Sequence, residues 1–179
     1  VIKKFRKEVN KQRKKDKFSN TLDKINYFEY RITSQNNEDG IIEHIFSKLP
    51  NNKFFVELGF DFFECNSLNL IKNGWSGILI DADEDKCIKI ERCLKFFYPN
   101  NNVKILNKTI NRENVNEIIF SNTNQKLIDF LSIDIDGNDY WVLEKIDVKK
   151  VNVICSEYNH WIGNNTRKVM PYEKNCTYK

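Results

Sequence analysis

Three acidic side chains crowd one end of an apolar run in Asp129-Phe-Leu-Ser-Ile-Asp-Ile-Asp-Gly-Asn-Asp-Tyr140. Phe130, Leu131, Ile133 and Ile135 read as a strand buried on both faces, as in parallel sheets. Such a strand cannot keep a carboxylate at its middle without a partner, so Asp134 and Asp136 are expected to emerge at its carboxyl end. Ligands of open α/β sheets bind just outside that end. Carboxylates there can accept a substrate proton or stabilise positive charge. Asp139 is placed to cap a helix beginning at Tyr140. Three acids this close could alternatively bind Mg²⁺.

A second constellation is Val56-Glu57-Leu58-Gly59-Phe60-Asp61, a strand running into a glycine turn. A missing Cβ lets backbone approach a ligand, and a following helix N-terminus attracts negative charge. The full GxGxxG is absent, because Phe62 and Phe63 stand where further glycines belong, and an ordinary strand-to-helix turn fits the segment equally well. Asp81 sits 22 positions after Gly59. Doubly wound nucleotide-binding folds place an acid there, where it can accept from both ribose hydroxyls. Asp83 is the candidate cap of the next helix. Turn and acid together point to an adenosine-type ligand. Glu157 closes the last strand, and His160 follows it among Tyr158, Asn159 and Trp161. Both are candidate bases, although a lone histidine is more often structural.

These residues need a frame to hold them. Strands are expected at Phe54 to Gly59, Gly77 to Asp81, Val103 to Ile110, Leu127 to Asp134 and Val151 to Glu157. Helical patterns separate them: Asn66 to Asn73, Glu84 to Phe97, Arg112 to Phe120 and Tyr140 to Ile146. Ahead of the first strand, Ser34 to Gly40 supplies turn chemistry for a helix through Ile41 and Leu49, closed by Pro50. Phe18 to Tyr30 reads as an amphipathic helix or an extended docking arm. Strands alternating with helices imply right-handed βαβ units: an α/β fold with a mostly parallel sheet of about five strands and helices on both faces. Trp75 and Trp141 read as packing residues. The abundant asparagine reads as compositional bias.

The 179 residues suffice for one domain with a real core. The first 18 carry nine Lys/Arg against two acids, a charge of +7 within a net +4 for the chain. Such a segment could contact nucleic acid or anionic lipid, but a solvated helical lead-in is the simpler expectation. Five scattered cysteines with no CxxC pair suggest free thiols in a reducing, cytoplasmic compartment. A zinc site is not expected, since only His44 and His160 could join them. No apolar run approaches the roughly 18 residues of a membrane span.

Seven segments occur in order: Ser34-Gln35 with Glu38-Asp39-Gly40; Phe55-Val-Glu-Leu-Gly59; Glu64-Cys65-Asn66-Ser67; Gly74-Trp75-Ser76-Gly77; Ile80-Asp81; Leu131 to Trp141; and Glu157-Tyr-Asn159. Together, over roughly residues 33–173, they resemble the FkbM-type branch of class I S-adenosylmethionine-dependent methyltransferases. The resemblance implies a Rossmann-like sheet over residues 33–179, preceded by a basic lead-in over 1–32 and lacking the sixth and seventh strands that complete such a sheet. It implies S-adenosylmethionine as cofactor and requires no metal. Glu57, Gly59 and Asp61 would contact the amino-acid half, Asp81 the ribose, and Thr109 would lie near the adenine. Asp134 and Asp136 would face the sulfonium and the acceptor, with Gln35, Glu38 and Asp39 approaching from the helix before the sheet. The implied reaction is O-methylation of a hydroxyl on a sugar or related small metabolite, with no nucleic-acid partner. A nicotinamide-dependent oxidoreductase and a non-catalytic binding module are the alternatives.

Overall fold

The structure, a computed structural model, describes residues 24–62, 64–158 and 167–174. Five strands form one sheet: β1 (Phe54–Leu58), β2 (Ser76–Asp81), β3 (Val103–Asn107), β4 (Ile128–Ile133) and β5 (Val151–Ser156). All four pairings are parallel, in the order β3-β2-β1-β4-β5. The helices are α1 (Glu38–Phe46), α2 (Leu68–Lys72), α3 (Glu84–Phe97), α4 (Val115–Ser121) and α5 (Asp139–Lys145), with short 3-10 turns at Ile25–Phe28 and Val148–Lys150.

The core explains why the central strands read as continuous apolar runs. Phe54, Val56 and Leu58 of β1 point to one side, where they meet Val115 and Ile119 of α4 and Val142 of α5. Phe55 points to the other, against Ile42 of α1, Leu70 and Ile71 of α2 and Ile90 and Leu94 of α3. Each face of the sheet therefore has its own helical layer, and alternate residues of one strand serve both. Order reverses between β1 and β4, since the chain winds outward through β2 and β3 and then returns on β1's other side. The crevice of a doubly wound sheet opens at that switch, above the strand ends carrying Gly59 and Asp134.

Strand existence, direction and layering follow the sequence expectation, and α3 matches it end to end. Three departures share one cause, side chains that capture backbone groups. The expected helix from Asn66 starts only at Leu68, because the backbone N–H groups of Asn66 and Ser67 donate to the Glu57 carboxylate at 2.9 Å each. The helix expected from Arg112 starts at Val115. Asn111 Oδ1 first accepts from the N–H groups of Glu113 and Asn114, and Asn114 Oδ1 returns the contact to Asn111 N. Strand β3 ends at Asn107, whose side-chain amide donates to the carbonyls of Asp81 and Ala82. Asparagine is thus structural chemistry here, not mere composition. Of the expected amphipathic arm, residues 24–30 are described, and they hold only the turn at Ile25–Phe28.

Asp129 shows how this sheet carries a buried charge. It lies near the start of β4 with no exposure, and its Oδ2 accepts from Asn52 N at 2.9 Å and Phe54 N at 3.0 Å. Oδ1 accepts from the Asn152 side chain at 3.1 Å, so one carboxylate ties the amino ends of β1, β4 and β5. Asp129→Ala strands those buried donors and is expected to lower the urea-derived unfolding free energy by about 2–4 kcal/mol. Asp129→Asn keeps one acceptor and should lose less.

Candidate active site

Above the carboxyl ends of β1, β2 and β4 lies an open cavity of about 630 Å³. Gly59, Phe60 and Asp61 form one wall, Asp81 to Asp83 with Lys86 a second, and Lys108 to Ile110 a third. Gln35, Glu64, Ile80, Asp134, Ile135, Asp136 and Glu157 complete the lining.

Gly59 adopts φ +73°, a left-handed conformation that favours glycine. A Cβ built there would stand 1.7 Å from the Asp134 carbonyl oxygen. The requirement for glycine therefore comes from the close approach of β1 to β4, whether or not a ligand is present. The Gly59 N–H donates to Ile80 O at 2.9 Å and Asp134 N–H to Leu58 O at 2.8 Å, which locks three strand ends together.

At the end of β2, Asp81 Oδ2 accepts from Phe60 N at 3.1 Å and Oδ1 from Asp83 N at 2.7 Å. The carboxylate is held by backbone while still lining the cavity. Asp83 caps α3 by accepting from Lys86 N at 3.1 Å, as expected. Asp61 forms an ion pair with Lys86 at 3.8 Å across this end. Thr109 lies on the third wall.

At the opposite end, side-chain oxygens of Asp134, Asp136 and Glu157 lie within 4.8 Å of one another. The Asp134 carboxyl is pushed up to about 6, first by burial and then by the charges of Glu157, Asp139, Asp136 and Glu57. Mutual repulsion of this kind is relieved by a proton, a cation or the positive end of a ligand.

Several expected ligand contacts are placed elsewhere. Glu57 is buried and accepts from Asn66 N, Ser67 N and the Cys65 thiol rather than facing the cavity. Burial raises its carboxyl above the ordinary range, and it pushes the neighbouring Cys65 thiol well up. Asp39 is also buried and collects the N–H groups of Ile32, Thr33 and Ser34 at 2.6–2.9 Å. Glu38 accepts from Asn36 N at 2.7 Å and is not among the lining residues, whereas Gln35 is, with its amide on Glu64 at 3.0 Å. Asp139, expected as a helix cap, instead accepts from Ile135 N at 2.8 Å and Gly137 N at 2.9 Å, fastening the loop before its helix. His160 lies outside the described residues.

The sequence reading missed Lys86 and Lys108 in the lining. Lys86 was traceable, since it falls in the first turn of the helix that follows Asp81. Lys108 was hidden inside an expected strand that ends one residue earlier.

The family model for the methyltransferase FkbM domain matches residues 64–179. The chain belongs to the FkbM methyltransferase family. The matched span includes Asp81, Thr109, Asp134, Asp136 and Glu157, while Gly59 and Asp61 precede it. Comparison with curated proteins and with solved structures finds no match in either set. The methyltransferase assignment thus rests on the family, and the five-stranded parallel sheet agrees with it. Among the described residues, no helix is long and apolar enough to cross a membrane.

The Asp134 shift has a sign that can be checked. Its carboxyl rises from an ordinary 3.8 to about 6, so the fold disfavours the ionised form. The resulting penalty grows as pH rises through that window and is complete above it. Asp134→Asn is expected to raise the thermal midpoint near neutral pH, and the gain should fade as pH is lowered toward about 4. An equal gain at both ends of the range would show that charge is not its source.

Proposed function

We propose that this domain is an S-adenosylmethionine-dependent methyltransferase that methylates a hydroxyl on a sugar or related small metabolite. The observation that supports it most is the polarity of a single cavity: a backbone-held carboxylate at one end, Asp81, and converging carboxylates at the other. A volume of about 630 Å³ suits a ligand of this size. Asp81 would hold the ribose diol. Asp134, Asp136 and Glu157 favour a positively charged centre, which a sulfonium ligand carries and a neutral nucleotide does not.

Bound there, the cofactor would supply a methyl group on an already activated, positively charged sulfur. The chain's own task is then positioning and proton transfer. Asp134, with its carboxyl near 6, is mostly ionised at neutral pH yet basic enough to accept the acceptor's hydroxyl proton. Asp136 and Glu157 keep the surrounding field negative, and Gln35 with Glu64 offers hydrogen bonds on the acceptor side.

A nicotinamide dinucleotide fits less well. A pyrophosphate needs free N–H groups at a helix start beside the glycine turn. Here Glu57 already occupies the N–H groups of Asn66 and Ser67, and α2 is only five residues long.

Calorimetric titration of the chain with S-adenosylhomocysteine is expected to show one site. Asp81→Ala should weaken it by about 10–100-fold, the worth of lost charge-assisted hydrogen bonds. Absent binding, or binding indifferent to Asp81→Ala, would sink the cofactor assignment, and displacement by NADH would favour the oxidoreductase.

A further inference from the structure

Residues 167–174 are held by polar contacts to the start of α5 and to the turn before α4. The Asn138 side chain, almost fully buried, donates from Nδ2 to Glu173 O at 2.7 Å and accepts from Glu173 N at 3.4 Å. Trp141 Nε1 donates to Met170 O at 2.8 Å. The Tyr172 hydroxyl donates to Glu113, and the Arg112 guanidinium lies 3.9 Å over the Tyr172 ring. None of these residues lines the cavity, so the proposed reaction leaves the arrangement unexplained.

Through Glu173 the segment touches the loop that carries Asp136. Asp136 has φ +53° and Gly137 φ +114°. A non-glycine residue holds the left-handed region only where its surroundings over-determine it. Two restraints do so. From within, the Asp139 carboxylate accepts from Ile135 N and Gly137 N. From outside, Asn138 fixes the next residue of the turn to the backbone of Glu173.

We propose that Asn138 is a positioning residue for the acceptor end: by gripping Glu173 it holds the strained Asp136–Gly137 turn, and so keeps the Asp136 carboxylate beside Asp134 and Glu157. The inference rests on the methyltransferase reading only in taking those acids as the reacting end. Its consequence is that residues 167–174 serve the site without lining it. With the grip lost, the turn relaxes toward ordinary φ and Asp136 moves away from its neighbours.

The Asp134 carboxyl reports that movement, since it is faced by Glu157 from the end of β5, Asp139 from α5, Asp136 from the loop and Glu57 from β1. Glu157 and Glu57 stand on the sheet and should keep their contributions, while those of Asp136 and of Asp139, which binds the turn, should fall. The experiment is NMR on the full chain, following amide exchange at Ile135 and Gly137 and the titration of Asp134, in wild type, Asn138→Ala and Trp141→Phe. Asn138→Ala is expected to speed exchange at both amides by about tenfold or more. It should also lower the Asp134 midpoint by on the order of half a unit. Trp141→Phe, which removes the hydrogen bond to Met170 and keeps an aromatic ring beside Tyr172 and Arg112, should shift both in the same direction by less. Faster exchange at Glu173 with Ile135, Gly137 and Asp134 unchanged would overturn the proposal, reducing Asn138 to packing. If Asn138→Ala does not fold, Trp141→Phe decides, and an unmoved Asp134 midpoint counts against it. No ligand enters these measurements, so a wild-type chain that fails to bind S-adenosylhomocysteine would end the cofactor reading and leave this test standing.

Discussion

The carboxyl ends of β1 and β4 touch through backbone alone, and the rest of the site is arranged around that contact. A side chain at Gly59 would meet the Asp134 carbonyl at 1.7 Å, while the Asp134 N–H bonds Leu58 O at 2.8 Å. Strands this close cannot shift apart without breaking that bond, or closer without a clash. The position of the Asp134 carboxylate relative to the first-strand loop is therefore a property of the sheet and needs no loop to define it. Acidic groups can crowd next to it because the floor beneath them cannot give way.

Carboxylates do two different jobs in this molecule, and their donors tell them apart. Asp39, Glu57, Asp129 and Asp139 each accept at least two backbone N–H groups and act as internal fasteners. Asp134, Asp136 and Glu157 crowd one another in the open cavity instead. Asp81 does both, tying the turn after β1 at Phe60 to the turn after β2 at Asp83 while lining the cavity. A fastened carboxylate has its charge dispersed over its donors, whereas a crowded one leaves its charge available to a ligand.

The sheet, its direction and its two helical layers were legible because burial on both faces writes itself as unbroken apolar runs, and α3 was legible because Asp83 caps it within its own sequence. The division of labour among the acids was not. Asp129 is satisfied by Asn52 and Phe54, which lie 77 and 75 residues away, and no local pattern announces a partner that distant. Glu57 misled for a subtler reason. It occupies the place beside a glycine turn where a ligand contact is expected, yet the donors of the coming helix reach it first. Asp134 and Asp136 could be placed from sequence because a strand end is a local signal, while their mutual repulsion and the grip of Asn138 depend on elements brought together only by folding.

With only 6 glycines in the chain, many bends are tied by asparagine side chains: Asn107 onto Asp81 and Ala82, Asn111 with Asn114, Asn101 onto Tyr98, Asn138 onto Glu173. Glycine is chemically inert, but a primary amide is not. Hydrolysis of one such amide would replace a donor with an anion aimed at a carbonyl oxygen, at a bend the pocket depends on. Each such bend therefore depends on the covalent integrity of its amide as well as on the folding equilibrium.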